Sequence, residues 1–276
     1  MTPEPAAVMP LAPFKVAALQ MVSTPRVAEN IATAAALIAQ AAMLGAKLVV
    51  LPEYFGILGM KDTDKVAVRE SDGSGPLQDF LAAVAARHGV WVVGGSVPLS
   101  CDEPGKVLNT TLVYDDKGRR VARYDKIHLF GFESGTERYQ ESATIVPGST
   151  PVALDTPFGR LGLSICYDLR FPELYRALAA DIIVVPAAFT ATTGRAHWEL
   201  LLRARAVENL AWVIAAAQGG RHENGRETWG QSMVIDPWGN VLACQAKGAG
   251  IVIAQIDPAF QQKMRASLPA LGHRVM

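Results

Sequence analysis

Short apolar runs recur along this chain. Each is closed by a turn signal, and several are followed by a segment of helical period. KVAALQMV at 15–22, KLVVL at 47–51, VWVVGGSV at 90–97, IIVV at 182–185 and WVIAAA at 212–217 read as strands. Residues 25–43 carry Ile31, Ala34, Ala35, Leu37, Ile38 and Ala41 at helical spacing and stop near Gly45. Residues 76–88, opened by Pro76, and residues 194–209 read as two more helices. The runs 108–114 and 119–124 flank DDKG, 152–155 and 161–165 flank TPFG, and 232–235 and 241–244 flank DPWGN. Each pair predicts antiparallel strands, and 251–256 is the last strand. Strands outnumber helices, and their apolar character predicts sheets buried on at least one face. Two facing sheets with helices outside, a four-layer α-β-β-α sandwich, satisfy that demand. A doubly wound sheet does too, and composition does not separate the two.

The bulk numbers exclude several classes. A chain of 276 residues, 50% hydrophobic and 19% charged, is globular in composition and near the upper size of a single α/β domain. Residues 1–13, rich in Pro and Ala, are expected as a loose tail, with one domain over 14–276. Lys+Arg and Asp+Glu are 26 each, so no basic excess calls for nucleic acid or an anionic membrane. Cys101, Cys166 and Cys244 are odd in number and widely spaced, without a CxxC. That argues against a disulfide framework or a zinc site, and for a reducing compartment. No cationic segment leads into an apolar stretch at the N-terminus, and the apolar runs are shorter than a membrane span. A cytoplasmic protein is expected.

Three reactive side chains occupy one kind of position. Glu53 follows KLVVLP, Lys126 follows RRVARYD, and Cys166 follows RLGLSI. In α/β proteins, functional groups gather beyond the carboxyl ends of strands. A thiol is a weak nucleophile until deprotonated, a carboxylate can take its proton, and an ammonium can hold the resulting negative charge. Pro172 suits a first helical turn, so the N–H groups after Cys166, that of Tyr167 first, favour an oxyanion. Each residue also has a plain reading: Cys166 as a small buried hydrophobe, Glu53 as a helix cap, Lys126 as a solvated charge. Spacing alone does not establish that the three meet.

The motifs VVLPEYF, RYDKIHLF and GLSICYDLRFPEL, in the order Glu–Lys–Cys, resemble those of the nitrilase, or carbon–nitrogen hydrolase, superfamily. The resemblance runs from about residue 14 to the C-terminus. AHWELLLRARAVENLAWVIAAAQGGRH and GQSMVIDPWGNVLA are similar to the Nit branch, which contains deaminated-glutathione amidases and ω-amidases, and AAAQGGRH is closer to the first. The resemblance implies the α-β-β-α sandwich, an assembly of two or more subunits, and hydrolysis of a small amide with release of ammonia. It implies no metal and no organic cofactor. It makes Cys166 the nucleophile, Glu53 the general base and Lys126 the electrostatic stabiliser. Glu141 matches a second glutamate that orients the lysine or assists proton transfer. Deaminated glutathione is the first substrate it suggests. The alternatives are α-ketoglutaramate, N-carbamoyl amino acids, nitriles, or a silent interaction module, the last disfavoured by the intact Glu53, Lys126 and Cys166. The loop GFESGTERYQES differs from the eukaryotic Nit patterns and flanks the pocket, which leaves the substrate open.

Arg170 suits a substrate carboxylate or an ion pair with Glu173. Phe189, Thr192 and Thr193 are expected at the pocket rim, the threonines either binding substrate or capping a helix near Arg195. His128 reads as a supporting residue. His197 and Glu199 lack metal-helix spacing. Arg203 and Arg205 are expected to pair with Glu208, Cys101 and Cys244 to be inert, and GGRHENGRE to be a polar loop bordering the pocket.

Overall fold

The computed structural model describes residues 12–135 and 137–275; of the expected N-terminal tail, residues 1–11 lie outside the described residues. The first half of the chain runs β1 (Phe14–Gln20), α1 (Val27–Met43), β2 (Ala46–Val50), α2 (Asp64–Ala67), α3 (Pro76–His88), β3 (Trp91–Val93), β4 (Val97–Ser100), β5 (Val107–Tyr114), β6 (Arg120–Asp125), β7 (Gly131–Ser134) and β8 (Glu137–Gln140). The second runs β9 (Ala153–Thr156), β10 (Gly159–Leu163), α4 (Pro172–Leu178), β11 (Ile182–Ala187), α5 (Ala191–Asn209), β12 (Trp212–Ala217), β13 (Ser232–Ile235), β14 (Val241–Gln245), β15 (Gly250–Ile256) and α6 (Pro258–Ser267).

Two large sheets result. One is seven-stranded, in the order β15-β1-β2-β3-β5-β4 with β6 on β5; the other is six-stranded, in the order β14-β13-β12-β11-β10-β9. Alternate residues of the first sheet enter different cores. Val16, Ala18, Leu48, Val50, Val93 and Val113 join Leu163, Val184, Val213 and Ala215 of the second sheet. Ala17, Leu19, Val49, Leu51, Val92 and Leu112 pack on Ala34 and Ile38 of α1 and Leu77 and Leu81 of α3. The second sheet carries Trp198, Leu202 and Ala206 of α5 and Leu174 and Leu178 of α4. This is the four-layer α-β-β-α sandwich. Because both faces of the central strands are buried, their sequences are continuous apolar runs rather than alternating ones. The sheets meet where β1 and β12 end: Met21 bridges Gln218, and the Gly219 N–H donates to the Met21 carbonyl at 2.9 Å.

The antiparallel pairs expected around DDKG, TPFG and DPWGN are present as β5–β6, β9–β10 and β13–β14. Three segments differ from expectation. The run at 90–97 is two strands, broken at 94–96, because the chain crosses from one side of β5 to the other, β3 and β4 both pairing with it. Gly95 makes the turn at φ +56°, and a Cβ there would lie 2.1 Å from the Pro52 carbonyl oxygen. The segment 131–140 is a hairpin, β7–β8, rather than an irregular loop. Helix α6 had a legible signal that periodicity does not carry: Asp257 caps it, accepting from the Ala259 N–H at 2.9 Å, with Pro258 following.

Gly95→Ala is expected to destabilise the protein by about 2 kcal/mol or more, since it combines a positive φ with a backbone clash. Chemical denaturation checks this; an unchanged midpoint would contradict the turn's dependence on glycine.

Candidate active site

The carboxyl ends of β2, β6, β10 and β11 open on one cleft, lined by Glu53, Glu141, Cys166, Tyr167, Arg170 and Phe189 among others. Lys126 sits beneath it, fully buried. Its Nζ donates to Glu53 Oε1 at 2.9 Å and to Glu141 Oε1 and Oε2 at 3.0 and 2.7 Å. The three residues read from separate motifs, together with Glu141, therefore meet at one place.

Each is held by named partners. Glu53 Oε1 accepts also from Asn109 Nδ2 at 2.9 Å, and the Lys126 N–H bonds the Asn109 carbonyl at 2.9 Å, so one β5 residue fixes both. The Glu53 carbonyl accepts from Gln218 Nε2 at 3.0 Å, which ties it to the end of β12 in the other sheet. Glu141 accepts from the Tyr54 hydroxyl at 2.9 Å and the Phe130 N–H at 2.8 Å, and its own N–H donates to the Phe130 carbonyl at 2.9 Å. This clasp closes the base of the β7–β8 hairpin, so the hairpin delivers Glu141 to Lys126.

Cys166 opens a 3-10 turn, Cys166–Arg170, at φ +50°, and Tyr54, next to Glu53, has φ +57°. Left-handed backbone at a non-glycine residue costs about 1–3 kcal/mol and persists only where the surroundings impose it. At Cys166 it is Asp168 that imposes it. Fully buried, it accepts from the Ile165 N–H at 2.8 Å, the Tyr124 hydroxyl at 2.7 Å and the His128 N–H at 3.0 Å, and its Oδ1 is 2.7 Å from His128 Nδ1. One carboxylate thus joins the strand carrying Lys126 to the turn carrying Cys166. His128 also stacks on Phe171, ring centroids 3.7 Å apart, in the supporting role expected of it. Arg205 Nε and Nη2 hold the Leu169 carbonyl at 3.0 and 2.7 Å and so fix the far end of the turn.

Electrostatics set the resting protonation. Burial works against the Lys126 charge, but Glu141 and Glu53 outweigh it and raise the ammonium's pKa. Burial raises the Glu141 carboxyl, and Lys126, the Phe130 N–H and the Tyr54 hydroxyl overcome it, so the net shift is down. The Cys166 thiol goes the other way. Burial pushes it well above the ordinary thiol range, Glu53 adds to this, and Lys126 and the Ala188 N–H only partly offset it. Two carboxylates on one ammonium leave a negative excess, which disfavours a resting thiolate. Among the described residues the Tyr167 N–H has no hydrogen-bond acceptor, so it is free for an oxyanion beside Cys166.

Arg170 makes no ion pair with Glu173. Its Nη1 and Nη2 lie 3.3 and 3.4 Å from His197 Nδ1, and the guanidinium is 5.6 Å from the Tyr167 and Phe189 ring centres. Thr193 lines the cleft. Thr192 does not; it is exposed and donates to Glu137 Oε1 at 2.7 Å. Neither caps α5, since Thr190 does so, its hydroxyl accepting from the Thr193 N–H at 3.2 Å. Arg205 pairs with Glu208 at 2.9 Å, whereas Arg203 reaches Glu199 at 3.5 Å. Sequence reasoning missed Asn109, Asp168, Gln218 and the cleft residues Phe130, Thr190 and Arg226. Phe130, Asp168, Gln218 and Arg226 had membership of a quoted segment as their only signal, and Asn109 and Thr190 had none.

Comparison with known proteins fits this geometry. Residues 15–266 match the carbon-nitrogen hydrolase family model. The chain is 45% identical over 270 residues to a deaminated glutathione amidase of Synechocystis sp., covering 95% of this chain and 98% of that one. The structure of Nit3 from Saccharomyces cerevisiae, a member of branch 10 of the nitrilase superfamily, matches with a TM-score of 0.87 at 31% identity, over 98% of this chain and 100% of that one. An amidase mutant from Nesterenkonia sp. AN1, with acrylamide added at its active-site cysteine, matches with a TM-score of 0.75 at 28% identity, over 93% and 98%.

Two outcomes are expected. The thiolate absorbance of wild type minus Cys166→Ser is absent at neutral pH and grows only above the ordinary thiol range, since the folded-state pKa is raised; a thiolate band at neutral pH would contradict the electrostatics. Asp168→Asn faces a carboxamide with several donors and lowers stability by about 2–4 kcal/mol by denaturant unfolding.

Proposed function

This chain belongs to the carbon–nitrogen hydrolase family, and on that premise we propose that it cleaves a small carboxylate-bearing amide through a thioester on Cys166. The observation that carries the reading is the meeting of Glu53, Lys126 and Glu141 in the cleft that holds Cys166.

The reaction begins with a neutral thiol. Glu53 takes its proton as Sγ attacks the amide carbon, so no free thiolate accumulates. Lys126 and the Tyr167 N–H hold the oxyanion. Glu53 passes the proton to the departing nitrogen, and the C–N bond breaks to leave an acyl thioester. Water, deprotonated by Glu53, then attacks the thioester, and the thiol reforms with release of the acid. Glu141 holds Lys126 from the opposite side and keeps it charged. A placed base is worth ~10²–10⁴ in rate and an oxyanion donor roughly 10²–10³. Because these groups act as a unit, Lys126→Ala is nearly as damaging as loss of the nucleophile.

Deaminated glutathione is the first-choice substrate, supported by the relatives' names and by Arg170, a guanidinium free of carboxylate partners at the cleft. One correction follows from the substrate's chemistry. Deaminated glutathione contains no primary amide, so its cleavage releases a dipeptide amine and not ammonia. Ammonia release belongs to the second reading, α-ketoglutaramate. Pairing of two or more subunits is part of the proposal, supported by exposed Leu200 and Val207 on α5 and by Trp238 and Leu242. No described helix is long and apolar enough to cross a membrane.

The test offers deaminated glutathione, α-ketoglutaramate, an N-carbamoyl amino acid and a simple nitrile, following both ammonia and primary amine. Wild type is expected to release the dipeptide amine fastest, and Cys166→Ala to lose at least ~10⁴-fold. Activity that survives Cys166→Ala would overturn the mechanism; preference for α-ketoglutaramate would overturn the substrate alone.

A further inference from the structure

The cleft above Cys166 is bordered by Phe130, Glu141, Phe189 and Arg226. Next to it lies an outer groove lined by Tyr54, Asp62, Lys65 and Asn224, and the space between the two is lined by residues of both, Tyr54, Lys65, Phe130 and Glu141 among them. Arg226 lines both spaces. Its guanidinium lies 4.8 Å from the centre of the Tyr139 ring on the β7–β8 hairpin, and Nη2 donates to the Ala188 carbonyl at 3.3 Å. Its Nε is buried with no partner among the described residues. No described carboxylate pairs with it. Glu141 is taken by Lys126, and Glu137 accepts from Thr192 through Oε1 while its buried Oε2 has no partner among the described residues. Lys65 adds a second cation in the groove, its Nζ 3.2 Å from Thr144 Oγ1 and 5.5 Å from the Tyr54 ring centre, and Asp62 is the acid there.

A half-buried guanidinium, stacked on one face and short of acceptors, is preorganised for a planar anion. Arg170 occupies the Tyr167–Phe189 side of the inner cleft and does not line the outer groove. Both arginines border the inner cleft, and of the two only Arg226 also lines the outer groove.

We infer that Arg226, aided by Lys65, is the specificity site for a carboxylate on the amine half of the substrate, so that the preferred substrates are amides with a carboxylate at each end. This rests on the amidase reading above and deepens it. A primary amide has nothing to place in the groove. A peptide-like amide fills it, with its terminal carboxylate against Arg226.

The test compares deaminated glutathione with its C-terminal carboxamide analogue, which differ only in that carboxylate. Wild type is expected to prefer the acid about 10–100-fold in kcat/KM, the worth of a charge-assisted pair. Arg226→Met is expected to bring that ratio towards one, and Arg226→Lys to keep part of it. Arg170→Met lowers both substrates and keeps the ratio, a split that a merely structural role for Arg226 does not produce. The wild-type ratio needs no variant to fold. Equal turnover of the two by wild type, or an unchanged ratio in Arg226→Met, overturns this inference alone. Wild type that cleaves neither overturns the substrate choice beneath it, and wild type that also leaves α-ketoglutaramate, the N-carbamoyl amino acid and the nitrile intact overturns the amidase reading itself.

Discussion

The Lys126 ammonium, buried between the Glu53 and Glu141 carboxylates, is the interaction on which the rest of the site depends. Taking three charges out of water costs several kcal/mol per ion, and only good geometry with further hydrogen bonds offsets it. Those bonds come from Asn109, from the Tyr54 hydroxyl and from the Phe130 N–H. They belong to β5, to the loop after β2 and to the base of the β7–β8 hairpin. The cluster is thus a junction of several elements, and removing the ammonium leaves two buried carboxylates facing each other uncompensated.

The four-layer fold supplies what such a junction requires. Apolar strands buried on both faces give a rigid support, and their carboxyl ends converge where the sheets meet. Gln218 and Asp168 carry that rigidity into the site. The first fastens Glu53 across the sheets, and the second fastens the Cys166 turn to the Lys126 strand. The strained backbone at Tyr54 and Cys166 is the local consequence. The chain is a carbon–nitrogen hydrolase acting on amides, and the raised thiol fits a nucleophile that is deprotonated only as it attacks.

Much of this was legible in the sequence, for reasons specific to each part. Continuous apolar runs marked the buried strands, and the turn signals DDKG, TPFG and DPWGN marked the hairpins, because both report local physics. The motifs around Glu53, Lys126 and Cys166 pointed to the site by resemblance; their spacing alone left each with a plain alternative. What was not legible was long-range. Asn109, Asp168 and Gln218 act through partners 40 to 165 residues away. Arg226 sits in a stretch that reads as an ordinary polar loop, and its importance depends on what fails to pair with it. The break at Gly95 reflects contact with Pro52, which no local pattern records. Helix α6 is a different case, since Asp257 and Pro258 did announce it.

The central claim is that amides pass through one covalent acyl intermediate on Cys166. Trapping with hydroxylamine measures this directly, using two amides that share an acyl half but differ in the amine. A common acyl thioester predicts the same ratio of hydroxamate to acid from both amides, with neither product formed by Cys166→Ala. A ratio that changes with the departing amine, or hydroxamate formed without Cys166, would contradict the account.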